Sequence, residues 1–248
     1  MDEVISLKSY NLYALELYFK ERNRINFFKH EGQVYAKVGN FVFALPFPFG
    51  IYELVETFYQ ESYSTFDMKN GNVVDIGAFI GDSAVYFASK GAGQVIAFEP
   101  AKNLFGLAIQ NIRLNDLDEV VYIRNEAVGV DYGEETFYYL KSHPGGSSIL
   151  PRKKDFICYK VKVIPLSSVI AELGHVDLLK IDCEGMENKI LLKAYKDESL
   201  KDVTNMIIEA HGFQRLKNTL EILRNASFKF VNLKNLRNDL CLIYATRT

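Results

Sequence analysis

The sequence has no tryptophan, only three cysteines and no long run of apolar residues. The missing tryptophan carries no functional message, because 15 Tyr and 18 Phe supply the aromatic bulk of a well-filled core. Cys158, Cys183 and Cys241 are odd in number and widely spaced, which argues against a disulfide framework and a zinc site; they read as reduced and mostly buried. No stretch approaches the roughly 18 apolar residues of a membrane span. The N-terminus lacks the basic start and continuous apolar core of a signal peptide, so the expected location is cytoplasmic, with no membrane partner. A surplus of charge is missing too: 29 Lys and Arg face 31 Asp and Glu, for a formal net charge of −2. No global positive field therefore draws the chain to nucleic acid. The short basic run Arg152-Lys-Lys154 reads as a solvated loop. There is no internal repeat and no low-complexity segment.

What is present is enough chain, 248 residues, to bury a full core as one large domain with an N-terminal extension. Val4, Leu7, Leu12, Leu15 and Phe19 suggest an amphipathic helix over about residues 2 to 22. Val34–Val38 and Phe41–Leu45 flank Gly39-Asn40, a dipeptide suited to a hairpin turn, and a helix is expected from Ile51 to about Ser62. Residues 1–70 are thus predicted to form a cap of helix, β-hairpin and helix. From residue 71 to 248 the pattern changes to alternating strand and helix, which specifies a parallel sheet covered on both faces. Between about 134 and 164 the alternation breaks, predicting an inserted β-ribbon around the polar loop Gly145-Gly146-Ser147-Ser148, a candidate lid or an ordinary hairpin tip. Two closing strands, Phe228–Leu233 and Leu240–Ala245, lie too close for a helical crossover and should pair antiparallel.

Three stretches carry chemistry. Val73-Val-Asp-Ile-Gly-Ala-Phe-Ile-Gly-Asp82 is an apolar strand running into two glycines four residues apart at the mouth of a helix, where glycine lets the backbone approach a ligand. The spacing Gly77-x-x-x-Gly81 differs from the dinucleotide fingerprint, whose helix N-terminus receives a pyrophosphate; a nucleoside without phosphates fits better. Such a turn can also serve packing alone. Glu99, closing the strand Val95-Ile-Ala-Phe-Glu-Pro100, can accept hydrogen bonds from both hydroxyls of a ribose, or cap the helix after Pro100. Asn125-Glu126-Ala127 follows the third strand, where an acceptor suits an adenine amino group and a solvated turn is the alternative.

This order of elements resembles the class I S-adenosylmethionine methyltransferases and, within them, the FkbM family, over about residues 50 to 246. The resemblance also rests on Gly-Ser-Ser (146–148), Leu-Leu-Lys-Ile-Asp-Cys-Glu-Gly-Met-Glu (178–187) and Ile-Ile-Glu-Ala-His (207–211). It implies a Rossmann-like, doubly wound seven-stranded sheet with an antiparallel last strand, S-adenosylmethionine as cofactor, and methyl transfer usually to oxygen on small molecules or sugars. It places the cofactor against Asp75, Gly77, Ala78, Phe79, Gly81, Asp82, Glu99, Pro100, Glu126, Ala127 and Asp182. Tyr63 and Glu56 fall where the family often carries an aromatic and an acid that wall the cofactor.

Asp182, Glu184 and Glu187 open a helix at the C-terminal end of an apolar strand, where ligands bind in open sheets and acids gain from the helix dipole. Glu209 and His211 have the two-residue spacing that puts both on one face of the next strand. Three readings of this rim stay open. In the first, His211 is a general base, Asp182 positions the cofactor amine or the acceptor, and Glu209 belongs to the same catalytic group. In the second, less favoured, Asp182, Glu209 and His211 bind a divalent metal such as magnesium or manganese. The third is structural. The leading functional expectation is O-methylation of a small molecule or glycan. Gln110-Asn-Ile-Arg-Leu-Asn115 resembles RNA-modifying relatives and keeps a tRNA methyltransferase as the alternative, disfavoured by the acidic balance. A non-catalytic cofactor-binding partner protein is the third, and self-association into a homo-oligomer stays open.

Overall fold

A computed structural model describes residues 20–21, 24–151, 156–237 and 240–247. Nearly all of the helix expected over 2 to 22, and the basic run at 152–154, lie outside the described residues. The apolar runs after residue 71 become parallel strands, β4 (Asn72–Ile76), β5 (Gln94–Phe98), β6 (Val121–Arg124), β10 (Val176–Ile181) and β11 (Val203–His211), buried on both faces except at the edge strand β6. Because side chains alternate across a strand, Val73, Leu178 and Ile207 join the core on one face of the sheet, while Val74, Leu179 and Ile208 join the core on the other. Each such fully buried side chain stabilises the fold by about 1.5–3 kcal/mol, so neither face can be uncovered cheaply.

β12 (Phe228–Arg237) and β13 (Leu240–Arg247) pair antiparallel, as their short connection requires, and β13 also pairs antiparallel with β11. The seven-stranded sheet has the order β12-β13-β11-β10-β4-β5-β6. The chain runs outward through β4, β5 and β6, then returns to lay β10 and β11 on the other side of β4. The β4/β10 junction is therefore a topological switch point, and the crevice above the C-terminal ends of these two strands is where open α/β sheets bind ligands. Helices α2 (Asp82–Ser89), α3 (Lys102–Leu114), α4 (Leu166–Leu173), α5 (Glu187–Lys196) and α6 (Phe213–Asn225) cover the sheet. No described helix is long and apolar enough to cross a membrane.

The N-terminal segment forms a three-stranded antiparallel sheet, β1 (Asn26–His30), β2 (Gln33–Val38) and β3 (Phe41–Leu45), followed by helix α1 (Ile51–Phe58). β1 extends the expected hairpin by one strand. The outer edge of β3 is satisfied by two asparagines one helical turn apart on α3: Asn111 bonds both the N–H (2.6 Å) and C=O (3.2 Å) of Ala44, and Asn115 bonds those of Val42 (2.9 Å each). The stretch that resembled RNA-modifying relatives is thus a strand mimic that docks the cap. The insertion is also larger than a ribbon. β7 (Ala127–Gly129) pairs parallel with β9 (Phe156–Pro165), which pairs antiparallel with β8 (Gly133–Leu140), giving a second three-stranded sheet.

Candidate functional site

After β4 the chain must turn sharply under β10. Gly77 has φ +82°, and a Cβ there would lie 1.7 Å from the carbonyl oxygen of Asp182, so no other residue fits this crossing. Two residues on, Phe79 holds φ +50°, a strained value for a bulky side chain. Its N–H donates to Glu99 Oε2 at 2.9 Å, while Glu99 Oε1 accepts from the N–H of Ala101 at 2.7 Å. One carboxylate thereby fixes the glycine loop and the turn into α3; the second of these contacts is close to the helix-cap role expected of it. Burial pushes Glu99 up to about 8, against those two N–H groups, which favour its ionised form. Asn125 supports the same turn by donating to the carbonyls of Glu99 (2.9 Å) and Pro100 (3.0 Å).

Beneath the loop lies Lys180, buried within β10, whose Nζ donates to Gly77 O at 2.7 Å and sits 3.1 Å from Asp75 Oδ1. Burial opposes its charge, but Asp75 and Asp182 outweigh that and hold its pKa above the ordinary lysine value. Asp75 is fully buried and also accepts from Ser83 Oγ at 2.6 Å. It braces the loop from below instead of facing a ligand.

The cavity above this loop is walled by Gly77, Phe79, Glu99, Pro100, Glu126, Ala127, Asp182 and Glu209 among the expected site residues. Asp75, Ala78, Gly81, Asp82, Tyr63 and His211 are not on its wall. Ala78 is buried, with its N–H on Phe98 O, and Gly81 lets α2 approach Ala108 of α3 closely. Asp82 accepts from Thr57 Oγ1 at 2.8 Å, tying α2 to α1, and burial raises it to about 6. Tyr63 packs its ring against Phe87 at 5.6 Å and Tyr86 at 6.4 Å, in the aromatic contact between the cap and α2. Glu126 is ion-paired with Lys162 of the inserted sheet.

Glu209 and His211 do share one face of β11, but His211 turns into a cage of carboxylates. Its Nδ1 is 3.2 Å from Glu187 Oε1, and its Nε2 is 3.4 Å from both Glu184 and Glu209. Burial works against its charge, yet the hydrogen bonds to Glu184 and Glu187, with the charge of Asp182, push it up to about 11. His211 thus bridges Glu184, Glu187 and Glu209 and is held above its ordinary pKa by them, which weighs against the general-base reading. Glu187, buried at the start of α5, also accepts the Gly185 N–H at 2.9 Å and stays below its ordinary pKa despite burial. Asp182 is raised to about 6 by burial, opposed by Lys180 and His211. Glu209 is raised by burial and by Asp182 and Glu56. Donor atoms of Asp182, Glu184 and His211 come within 4.8 Å of one another, a different trio from the Asp182, Glu209 and His211 of the metal reading. A metal at this trio would compete with the contact that His211 makes to Glu184.

Several wall residues were not singled out in the sequence. Glu53, Tyr52 and Phe49 come from α1 and the turn before it, and His143 from the loop of the inserted sheet. The signal for Glu53 was available: it stands three residues before Glu56, on the same helix face, opposite the buried Leu54. The loop itself is docked, since Ser148 Oγ donates to Glu184 O at 3.2 Å and Ser147 Oγ accepts the Leu140 N–H at 3.0 Å.

Comparison with known proteins places this geometry. Methyltransferase sdnD of Sordaria araneosa is 26% identical over 187 residues, covering 62% of this chain and 72% of the relative. The solved structure of Sp1610 from Streptococcus pneumoniae, in complex with S-adenosyl-L-methionine, matches with a TM-score of 0.50 at 12% identity, covering 76% of this chain and 72% of that one, which bears on the fold alone. Precorrin-6y C5,15-methyltransferase from Geobacter metallireducens GS-15 matches at 13% identity with a TM-score of 0.46, covering 73% of this chain and 81% of that one. The methyltransferase FkbM domain matches residues 75–230, more than half of the chain, which joins the glycine loop, Glu99 and the acid rim into one unit. This chain belongs to the FkbM methyltransferases.

Proposed function

We propose that the protein transfers a methyl group from S-adenosylmethionine to a small-molecule acceptor, with an oxygen of a small molecule or sugar as the methylated atom. The observation that carries this reading is the acidic composition of the cavity wall. Glu53, Glu56, Glu99, Glu126, Asp182, Glu184 and Glu209 line it, with no Lys or Arg among the described wall residues. Such a wall suits a cationic sulfonium and repels nucleotide phosphates. Glu99 keeps lone pairs for ribose hydroxyls while its backbone partners hold it in place, and Glu126 with Ala127 lies where the adenine would rest. The bound cofactor supplies a methyl group made electrophilic by its sulfonium.

The chain's own residues do the rest. The docked loop of the inserted sheet and α1 supply the wall of the cavity facing the glycine loop. Asp182, on the wall at the β4/β10 junction, is placed to accept the acceptor's proton, with Glu209 beside it; His211 acts through them as a positioning residue. A tRNA acceptor is disfavoured by the same wall, and by the use of Asn111 and Asn115 to dock the cap. Titration calorimetry with S-adenosylhomocysteine tests the reading: one-to-one binding is expected, and no binding would overturn it. Radiolabelled methyl transfer to small molecules separated from an extract then separates an enzyme from a silent binder.

A further inference from the structure

We propose that the acceptor is a small molecule bearing a protonated amine, and that Glu53 and Glu56 of α1 hold that ammonium group. The inference rests on the cofactor reading above and adds the chemistry of the second ligand. Glu56 is 6% exposed, lies on the cavity wall, and its Oε1 is buried with no hydrogen-bond partner. A buried carboxylate oxygen left in that state costs stability unless a donor arrives. Among the described residues none donates to it: Lys180 bonds Gly77 O and pairs with Asp75, and Lys234, whose charge favours ionised Glu56 from a distance, donates to Ser62 Oγ at 3.1 Å.

Glu53 stands one turn earlier on the same face, its Oε1 3.4 Å from where a Cβ on Gly145 would project. This pair is therefore walled by the cap and by the loop of the inserted sheet, elements added to the sheet that holds the cofactor. Phe49, which meets the ring of His143 at 6.3 Å beside that loop, adds an aromatic face suited to a cation. Burial pushes both carboxyls up to about 7, Glu56 further through Asp182 and Glu53 through Asp82, so the two acids resist ionising together without a positive ligand. Asp182 is closer to the glycine loop, and a single cofactor ammonium cannot neutralise all three acids.

The test compares two probes of nearly equal shape, benzylamine and benzyl alcohol, titrated at pH 7.5 into protein saturated with S-adenosylhomocysteine. The amine is expected to bind at least tenfold more tightly, and the preference should fall to within about twofold in Glu53→Gln/Glu56→Gln. Glu53→Gln alone, at a half-buried site, supplies a folded variant with a reduced preference if the double variant does not fold. Equal binding of the two probes, or no binding of either, overturns the proposal, as does a preference that survives the substitutions. If Glu56→Gln instead weakens S-adenosylhomocysteine and leaves the amine preference intact, Glu56 serves the cofactor and the proposal fails. Absence of S-adenosylhomocysteine binding removes the methyl-transfer reading itself, whereas its binding without amine preference removes only this inference.

Discussion

The two ends of the cavity are built on opposite electrostatic plans. Beneath the loop at the ends of β4 and β5, the buried acids are matched within the fold: Asp75 by Lys180 and Ser83, Glu99 by two backbone N–H groups. Under the cap, burial together with Asp182 and Asp82 raises Glu53 and Glu56, and Glu56 keeps an oxygen with no partner among the described residues. The first end is preorganised by these contacts, although burial still pushes Glu99 up to about 8. The second keeps two acids that burial holds up to about 7, with fewer partners in the fold. A cofactor common to a family suits the first plan, and a ligand peculiar to one protein suits the second.

The comparison breaks most readily at Lys180. Lys180→Met leaves the fully buried Asp75 carboxylate without its counter-charge and frees Gly77 O, a change expected to cost about 3–5 kcal/mol in urea unfolding. Adding Asp75→Asn should recover much of that loss. A single-variant cost under about 1 kcal/mol would show that the matched end is not held by this pair. Glu99→Ala comes next. It removes the acceptor for Phe79 and Ala101 and is expected to weaken S-adenosylhomocysteine at least tenfold, on the order of 1.4 kcal/mol, with unchanged affinity removing Glu99 from the ribose.

The unbalanced end should show itself in pH. Glu53 and Glu56 titrate near 7 in the folded chain, against 4.5 when unfolded, and Glu99 near 8. The folded state therefore binds more protons than the unfolded state above about pH 4.5, and stability must fall as pH rises through 7. His211, with a folded value of about 11, works in the same direction above its ordinary 6.5. Between pH 5 and pH 8 the ligand-free protein is expected to lose at least about 2 kcal/mol, what one carboxyl raised from 4.5 to about 7 contributes, which is several degrees of Tm. Saturating S-adenosylhomocysteine should leave the part due to Glu53 and Glu56 in place, because that ligand occupies the other end. A Tm that is flat or rises over this range would mean these acids are matched after all.

The sheet and the glycine loop were legible in the sequence because both are local: an apolar strand, a glycine that only one crossing explains, and an acid at the next strand end. β13 lying between β12 and β11 followed from a connection too short for a helix. The rim was legible as a cluster but not as a circuit. The spacing of Glu209 and His211 put them on one face, yet nothing in it shows that Glu184 and Glu187 reach back to His211 and raise its pKa. Glu53 escaped notice because its role depends on Gly145, a neighbour in space nearly a hundred residues away in the chain. Asn111 and Asn115 were read as a family string and turned out to finish the edge of β3, a tertiary contact without a local signature.

Tyr63 gives the smallest and sharpest test of where the cofactor end stops. Its position before the glycine loop suggested a cofactor wall, but its ring packs on Tyr86 and Phe87, and burial raises its hydroxyl well above the ordinary value. Tyr63→Phe keeps that packing and removes only the hydroxyl, so S-adenosylhomocysteine affinity should stay within about twofold and stability within about 0.5 kcal/mol. A tenfold loss of affinity with unchanged stability would put the hydroxyl on the ligand and move the boundary between the two ends into the cap.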